Sequence, residues 1–267
     1  MSTSAQAGQE APTKEKFTLQ SKGGGTYKVS PGETLNVATA GVHAFVRLGS
    51  GAFVSAKLSE FRKRPDKPII LYEFDGCPFC RKVREATSLL DIDVLFYPCP
   101  KNGPTWRPKA IAMSGKQQFP FMVDPNNNNW ELLESNAIIS YLYNEYGDGN
   151  VPLSLRLGPL TALSIGLGLA PRLGRGTQYR QSKLPDNPLD IWGYEASPFV
   201  KLAREVLVEL ELPHVYHSVA RNSPKRVAMR EKWDTFQVPY LEDSNTGLAM
   251  FESTAIIKYL EDTYGVK

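Results

Sequence analysis

From residue 69 onward, short runs of β-branched and aromatic residues alternate with longer stretches whose apolar positions recur at helical spacing. The pattern predicts strands near 69–74, 93–97, 121–124 and 130–133, with helices near 78–90, 105–115 and 135–146. The same order then returns, with strands near 189–193, 214–219, 240–243 and 248–251 and helices near 198–211, 224–234 and 253–264. Pro213 and Pro224 fall at element boundaries, where a residue without an N–H donor does least harm. A strand–helix–strand opening makes the first two strands of each set parallel. Turns around Asn126 to Asn129 and around Asn245 to Gly247 close antiparallel hairpins. The expected class is α/β, with two βαβαββα units in tandem.

Particular residues mark the repeat. Cys77-Pro78-Phe79, Phe119-Pro120-Phe121 and Glu134-Ser135 are answered by Ser197-Pro198-Phe199, Val238-Pro239-Tyr240 and Glu252-Ser253. From Cys77 to Pro120 is 43 positions and from Ser197 to Pro239 is 42; onward to the glutamates the steps are 14 and 13. Three landmarks in register indicate one duplicated unit. The expected organisation is a tail at 1–16, an N-terminal extension at 17–67, a first unit at 68–148, a linker at 149–187 and a second unit at 188–267.

The tail is polar and lacks an apolar core, so it reads as disordered and as neither a secretory signal nor a membrane span. The Gly-, Thr-, Val- and Ala-rich stretch from Phe17 to Phe61 suggests short strands or a strap. Leu157 to Ala170 is apolar, but it is too short to span a bilayer and is broken by Gly158, Pro159, Gly166 and Gly168. It reads as a linker buried between the units, with peripheral membrane contact as the lesser reading.

Composition narrows the function. At 267 residues with 42% apolar content the chain can fill two cores, and 31 basic against 28 acidic residues include no long block of one sign. A nucleic-acid partner is not expected. Three cysteines, two of them in one motif, argue for a reducing intracellular compartment, cytoplasm or plastid, rather than a secreted disulfide scaffold. A transit peptide could have stood upstream of this start.

The candidate chemistry is the Cys77-Pro78-Phe79-Cys80 dithiol at a strand-to-helix junction. Pro78 suits a first helical position, so Cys77 becomes the N-cap and its sulfur faces unsatisfied N–H groups at the positive end of the helix dipole, which favours thiolate. Cys80, one turn on, can then attack a mixed disulfide at Cys77. The alternative is a zinc half-site or two buried thiols, but only Cys99 and three scattered histidines remain, without ligand spacing, so no metal is expected. Cys99 reads as a buried, inert thiol, with a third redox thiol as the lesser option.

With strand, Cys-Pro-Phe-Cys, x-Pro before a strand and Glu-Ser opening the last helix, each unit resembles the glutaredoxin-like, thioredoxin-fold N-terminal domain of soluble glutathione transferases. The first also resembles glutaredoxins and the prostaglandin E synthase type 2 group. The resemblance implies a cis Phe119–Pro120 bond facing the dithiol. It also implies that the Phe119 backbone pairs with the cysteinyl part of glutathione and that Glu134 and Ser135 hold its γ-glutamyl end. In the second unit Ser197 and Val200 replace the two cysteines, which removes dithiol exchange; Ser197 then reads chiefly as a helix cap, with glutathione binding through Val238, Pro239, Glu252 and Ser253 left open. Neither unit is followed by the all-helical domain of complete transferases.

The leading expectation is a glutathione-linked thiol–disulfide oxidoreductase in which Cys77 attacks disulfide or glutathionylated protein substrates. A glutathione-dependent transferase or isomerase is one alternative, and a non-enzymatic glutathione- or partner-binding scaffold is another. An iron–sulfur cluster bridged by two subunits is a lesser possibility. Oligomeric state is left open.

Overall fold

The computed structural model describes residues 17–21, 31–61 and 63–266; the expected tail at 1–16 lies outside them. Both predicted units form, with boundaries within about two residues of those expected. The first runs β2 (Ile69–Glu73), α2 (Pro78–Leu89), β3 (Val94–Pro98), α3 (Trp106–Ser114), β4 (Phe121–Asp124), β5 (Trp130–Leu133) and α4 (Ser135–Tyr146). The second runs β6 (Leu189–Gly193), α7 (Pro198–Glu209), β7 (His214–Ser218), α8 (Pro224–Trp233), β8 (Tyr240–Asp243), β9 (Leu248–Phe251) and α9 (Ser253–Tyr264). In each, the first two strands are parallel and the closing hairpin antiparallel. This is the thioredoxin-like layout, twice.

The two units share one sheet. β3 and β7 pair antiparallel, with Val94 opposite Tyr216, Leu95 opposite Val215 and Phe96 opposite His214. With β1 (Thr18–Ser21) added at one edge, the described strands therefore form a nine-stranded sheet in the order β1-β9-β8-β6-β7-β3-β2-β4-β5, with a local two-fold at the β3/β7 seam. Strand alternation sorts the side chains between its faces. Ile69, Leu71 and Ile191 point to a core shared by both units beneath α2, α4, α7 and α9, which also holds Phe96, Leu142, Tyr216 and Leu260. Tyr72 and Trp192 point the other way, into separate clusters under α3 and α8 that contain Ala110 and Met229 respectively. Among the described residues no separate all-helical domain follows either unit.

Two expectations need correction. Of the described part of 17–61, Thr18–Ser21 is a short strand as expected and extends the sheet beside β9, but residues 31–46 form the 16-residue helix α1 (Pro31–Val46) rather than strands or a strap. Its Val and Thr residues read as strand formers, but packing of Ala40 and His43 against neighbouring helices prevails over that weak propensity. The supposed buried linker holds a short helix α5 (Leu153–Arg156) and the helix α6 (Pro159–Leu169), and only one side of α6 is buried. Gly168 does not break α6; it admits α1, since a Cβ there would lie 2.8 Å from the His43 Cα. α1 and α6 thus lie together over α2 and α7 as an outer layer.

Candidate active site

The chain leaves the carboxyl end of β2, an interior strand, and Cys77 then caps α2 with Pro78 in its first turn. The Cys77 N–H donates to the Phe74 carbonyl at 3.2 Å. Its sulfur accepts the Cys80 N–H at 3.3 Å and lies 3.9 Å from the Phe119 carbonyl. The Cys80 thiol, then the backbone N–H groups of Cys80 and Phe79, hold the Cys77 thiol below its ordinary range against the opposing effect of burial. Cys80 is pushed well up by burial and by the adjacent Cys77. The two thiols thus differ in kind: Cys77, 5% exposed, borders a cavity, while Cys80, 1% exposed, lies behind it. Cys99 is fully buried and pushed up by burial, as its reading as an inert thiol expects.

The cavity, about 530 Å³, is lined by Cys77, Phe79, Arg107, Gln118, Phe119, Glu134 and Ser135, with Phe74, Gly76, Pro78 and Gln117 completing the wall. The structure therefore brings Cys77, Phe119, Glu134 and Ser135 together, while Cys80 and Pro120 are buried behind the wall. The Phe119–Pro120 peptide is cis, as expected. Glu134, with φ 69°, takes a backbone conformation that disfavours side chains, and it directly precedes α4, whose first residue Ser135 lines the cavity. Such strain of about 1–3 kcal/mol is typically kept at functional positions.

Sequence reasoning missed Arg107, Gln117 and Gln118 in this wall. Gln118 donates its amide to the Glu134 carboxylate. Arg107 donates to the Pro100 carbonyl at 2.8 Å and to the Cys99 carbonyl at 3.0 Å, and its guanidinium lies 4.5 Å from the Phe119 ring centroid and 5.4 Å from that of Phe74. The signal was in the repeat: Arg107 and Gln118 follow Cys77 by 30 and 41 positions, and Arg226 and Gln237 follow Ser197 by 29 and 40.

The second unit repeats the site without the thiols. A cavity of about 360 Å³ is lined by Tyr194, Ser197, Phe199, Arg226, Phe236, Gln237, Val238, Glu252 and Ser253. Val238–Pro239 is cis, with Pro239 buried, and Glu252 has φ 77°. Ser197 caps α7, accepting the Val200 N–H at 3.4 Å, so its capping role is present alongside its place in the wall.

Beneath both sites runs a buried ionic cluster that the sequence did not reveal. Arg84 bonds Glu73, Asp75 and Glu195; Arg204 bonds Glu73 at 2.8 Å; Arg81 bonds Glu195 at 2.9 Å; and Lys201 bonds Asp75. All these side chains are at most 4% exposed, and the pairs Arg84–Glu195, Arg81–Glu195, Arg204–Glu73 and Lys201–Asp75 cross from one unit to the other. Burial raises the Glu73 carboxyl despite Arg84 and Arg204, and its charge works against ionisation of Cys77.

The family model described as glutathione S-transferase, N-terminal domain, matches residues 71–150 and again 192–267. No curated relative matches at a significant level. Two solved structures of the Bombyx mori glutathione transferase BmGSTD1 are similar to parts of the chain. One, in complex with GTT, is 31% identical over 38% of this chain and 46% of that one; the other is 30% identical over 40% and 50%; both have a TM-score of 0.30. The chain thus spans about half the length of these relatives. The paired family matches support a glutathione-related function. Since they fall on both units and together cover more than half of the sequence, the chain belongs to the glutathione S-transferase N-terminal domain family and carries that domain twice.

Proposed function

We propose that the protein is a glutathione-linked thiol–disulfide oxidoreductase acting through Cys77 and Cys80. The observation that carries this reading is the inequality of the two thiols: Cys77 borders the cavity with its ionisation favoured, and Cys80 stays protonated behind it. The Cys77 thiolate attacks a substrate disulfide, forming a bond to one sulfur while the other leaves as thiolate. Cys80, losing its proton as it reacts, or the thiolate of free glutathione, then attacks the Cys77 sulfur and releases the second substrate thiolate. Two glutathione molecules return the resulting Cys77–Cys80 disulfide to dithiol and leave as glutathione disulfide. In this reading the Phe119 backbone pairs with that of glutathione. Glu134, Ser135 and the α4 N-terminus face its γ-glutamyl end, as an anion is held at a helix start.

Equilibration in glutathione buffers of stepped potential, followed by alkylation and mass spectrometry, reads the reaction directly. A Cys77–Cys80 disulfide or a glutathione adduct confined to Cys77 is expected, with Cys77→Ser abolishing exchange and Cys80→Ser keeping a monothiol reaction. Cysteines that remain reduced across the range would overturn the reading.

A second reading concerns the second unit, where Arg226, Gln237, Glu252 and Ser253 repeat the first cavity's polar wall around a serine. It holds glutathione without exchanging it, as a transferase-like or binding site. Calorimetry should find two glutathione sites per chain, and Glu252→Ala should remove one of them.

A further inference from the structure

The two units serve as controls for each other. Asp75 and Arg84 are answered in the second unit by Glu195 and Arg204, all of them buried. Where the dithiol is absent, however, a buried carboxylate is absent too: Glu73, the last residue of β2, is answered by Gly193, the last residue of β6. Cys80 and Val200 each stand third in their helices, α2 and α7. A Cβ on Gly193 would lie 2.7 Å from the Val200 Cγ1, so the end of the strand faces that helix position directly. The same placement in the first unit sets the Glu73 side chain against Cys80. Arg84, one turn beyond Cys80 on α2, bonds Glu73, and Arg204 bonds it from the second unit at 2.8 Å.

Resolution by Cys80 needs a proton acceptor. Burial and the adjacent Cys77 push the Cys80 thiol well up, and at 1% exposure it is shielded from bases in the solvent. Three carboxylates lie in the buried cluster, and burial pushes all of them up. Lys201 and the guanidinium groups prevail over burial at Asp75, and Arg84 and Arg81 prevail at Glu195, which is held down to about 2. At Glu73 burial prevails over Arg84 and Arg204, with the charges of Asp75 and Glu195 adding to it. Of the three, Glu73 alone has a raised affinity for a proton.

We propose that Glu73, held by Arg84 and by Arg204 of the second unit, takes the proton of Cys80 when Cys80 attacks the mixed disulfide; the inference rests on the exchange reaction proposed above. As the Cys80 sulfur bonds to the Cys77 sulfur, the bond from Cys77 to the substrate sulfur breaks and its electron pair leaves with the substrate thiolate. The Cys80 proton passes to the Glu73 carboxylate. When glutathione thiolate later attacks the Cys77 sulfur of the disulfide, Cys80 leaves with the electron pair and takes the proton back. The unit without thiols thus contributes, through Arg204, to the chemistry of the unit that has them.

The test is stopped-flow mixing of the reduced full chain with one equivalent of 5,5′-dithiobis(2-nitrobenzoate), whose leaving thiolate is coloured. Attack by Cys77 releases the first thiolate, and attack by Cys80 releases the second in a phase independent of reagent concentration. Glu73→Gln should speed the first phase at neutral pH, because its charge opposes Cys77 ionisation, and slow the second about a hundredfold. A general loss of structure would not move the two phases in opposite directions. In the wild type the second phase should level off as pH rises past the ionisation of Glu73, whereas in the variant it should keep rising with hydroxide. A second phase that Glu73→Gln leaves as fast as in the wild type overturns the proposal, and so does a wild-type second phase that rises with pH without levelling. A wild type that releases only one thiolate overturns the exchange reaction itself, and the proposal with it.

Discussion

Cys77 and Cys80 have the same side chain and opposite tendencies because three residues along a helix start separate an N-cap from the interior. Glu73 restrains that difference. Its carboxylate opposes Cys77 ionisation, so Glu73→Gln should lower the Cys77 pKa further, which the pH dependence of iodoacetamide alkylation would read. Arg107→Lys should keep the charge yet weaken glutathione binding severalfold, because lysine has no planar fork to bridge the Cys99 and Pro100 carbonyls between two rings. Calorimetry with the Cys77→Ser background isolates that effect from exchange. Cys77, Phe119, Glu134 and Ser135 were legible in the sequence because each belongs to a short local motif. Glu73, Glu195 and Arg204 were not, since their partners lie in the other unit and no local pattern distinguishes a buried charge from a solvated one.

At the scale of elements, the strands and helices of both units were legible because periodicity, prolines and turns agreed over each of them. α1 and α6 were not, because glycine, valine and threonine argue locally against helix while close packing argues for it. Gly168 is where that packing is tightest. Gly168→Leu would drive a side chain into the His43 backbone and separate the two helices, at a stability loss of about 1–3 kcal/mol measured by denaturant titration. Gly166 meets nothing within 4 Å, so Gly166→Ala should be tolerated and serves as the control.

Across the whole molecule, the seam between units is tied on both faces of the sheet. On one face the Arg84 and Arg204 cluster joins the units, and removing Glu195 would leave the buried Arg81 and Arg84 each one carboxylate short; Glu195→Ala should cost about 3 kcal/mol of stability in thermal or denaturant melts. On the other, His217 of β7 bonds Asp93 of the first unit and Asp190 of the second, each at 2.9 Å. Burial pushes its imidazole down, but the two carboxylates prevail and hold its pKa up to about 9. Its folded value exceeds the unfolded one of about 6.5, so this contribution is fully present below pH 6.5 and is lost as pH rises through 9. Melting temperature should fall over that interval in the wild type and fall less in His217→Gln.

The β3/β7 pairing has a consequence for what counts as a part. Cut at the repeat boundary, the first unit would present β3 as a raw edge with unpaired N–H and C=O groups, and half of a shared core would lie open beside it. Such a fragment should seek another strand, its own twin first. The motif was written twice, but the body that folds is the pair.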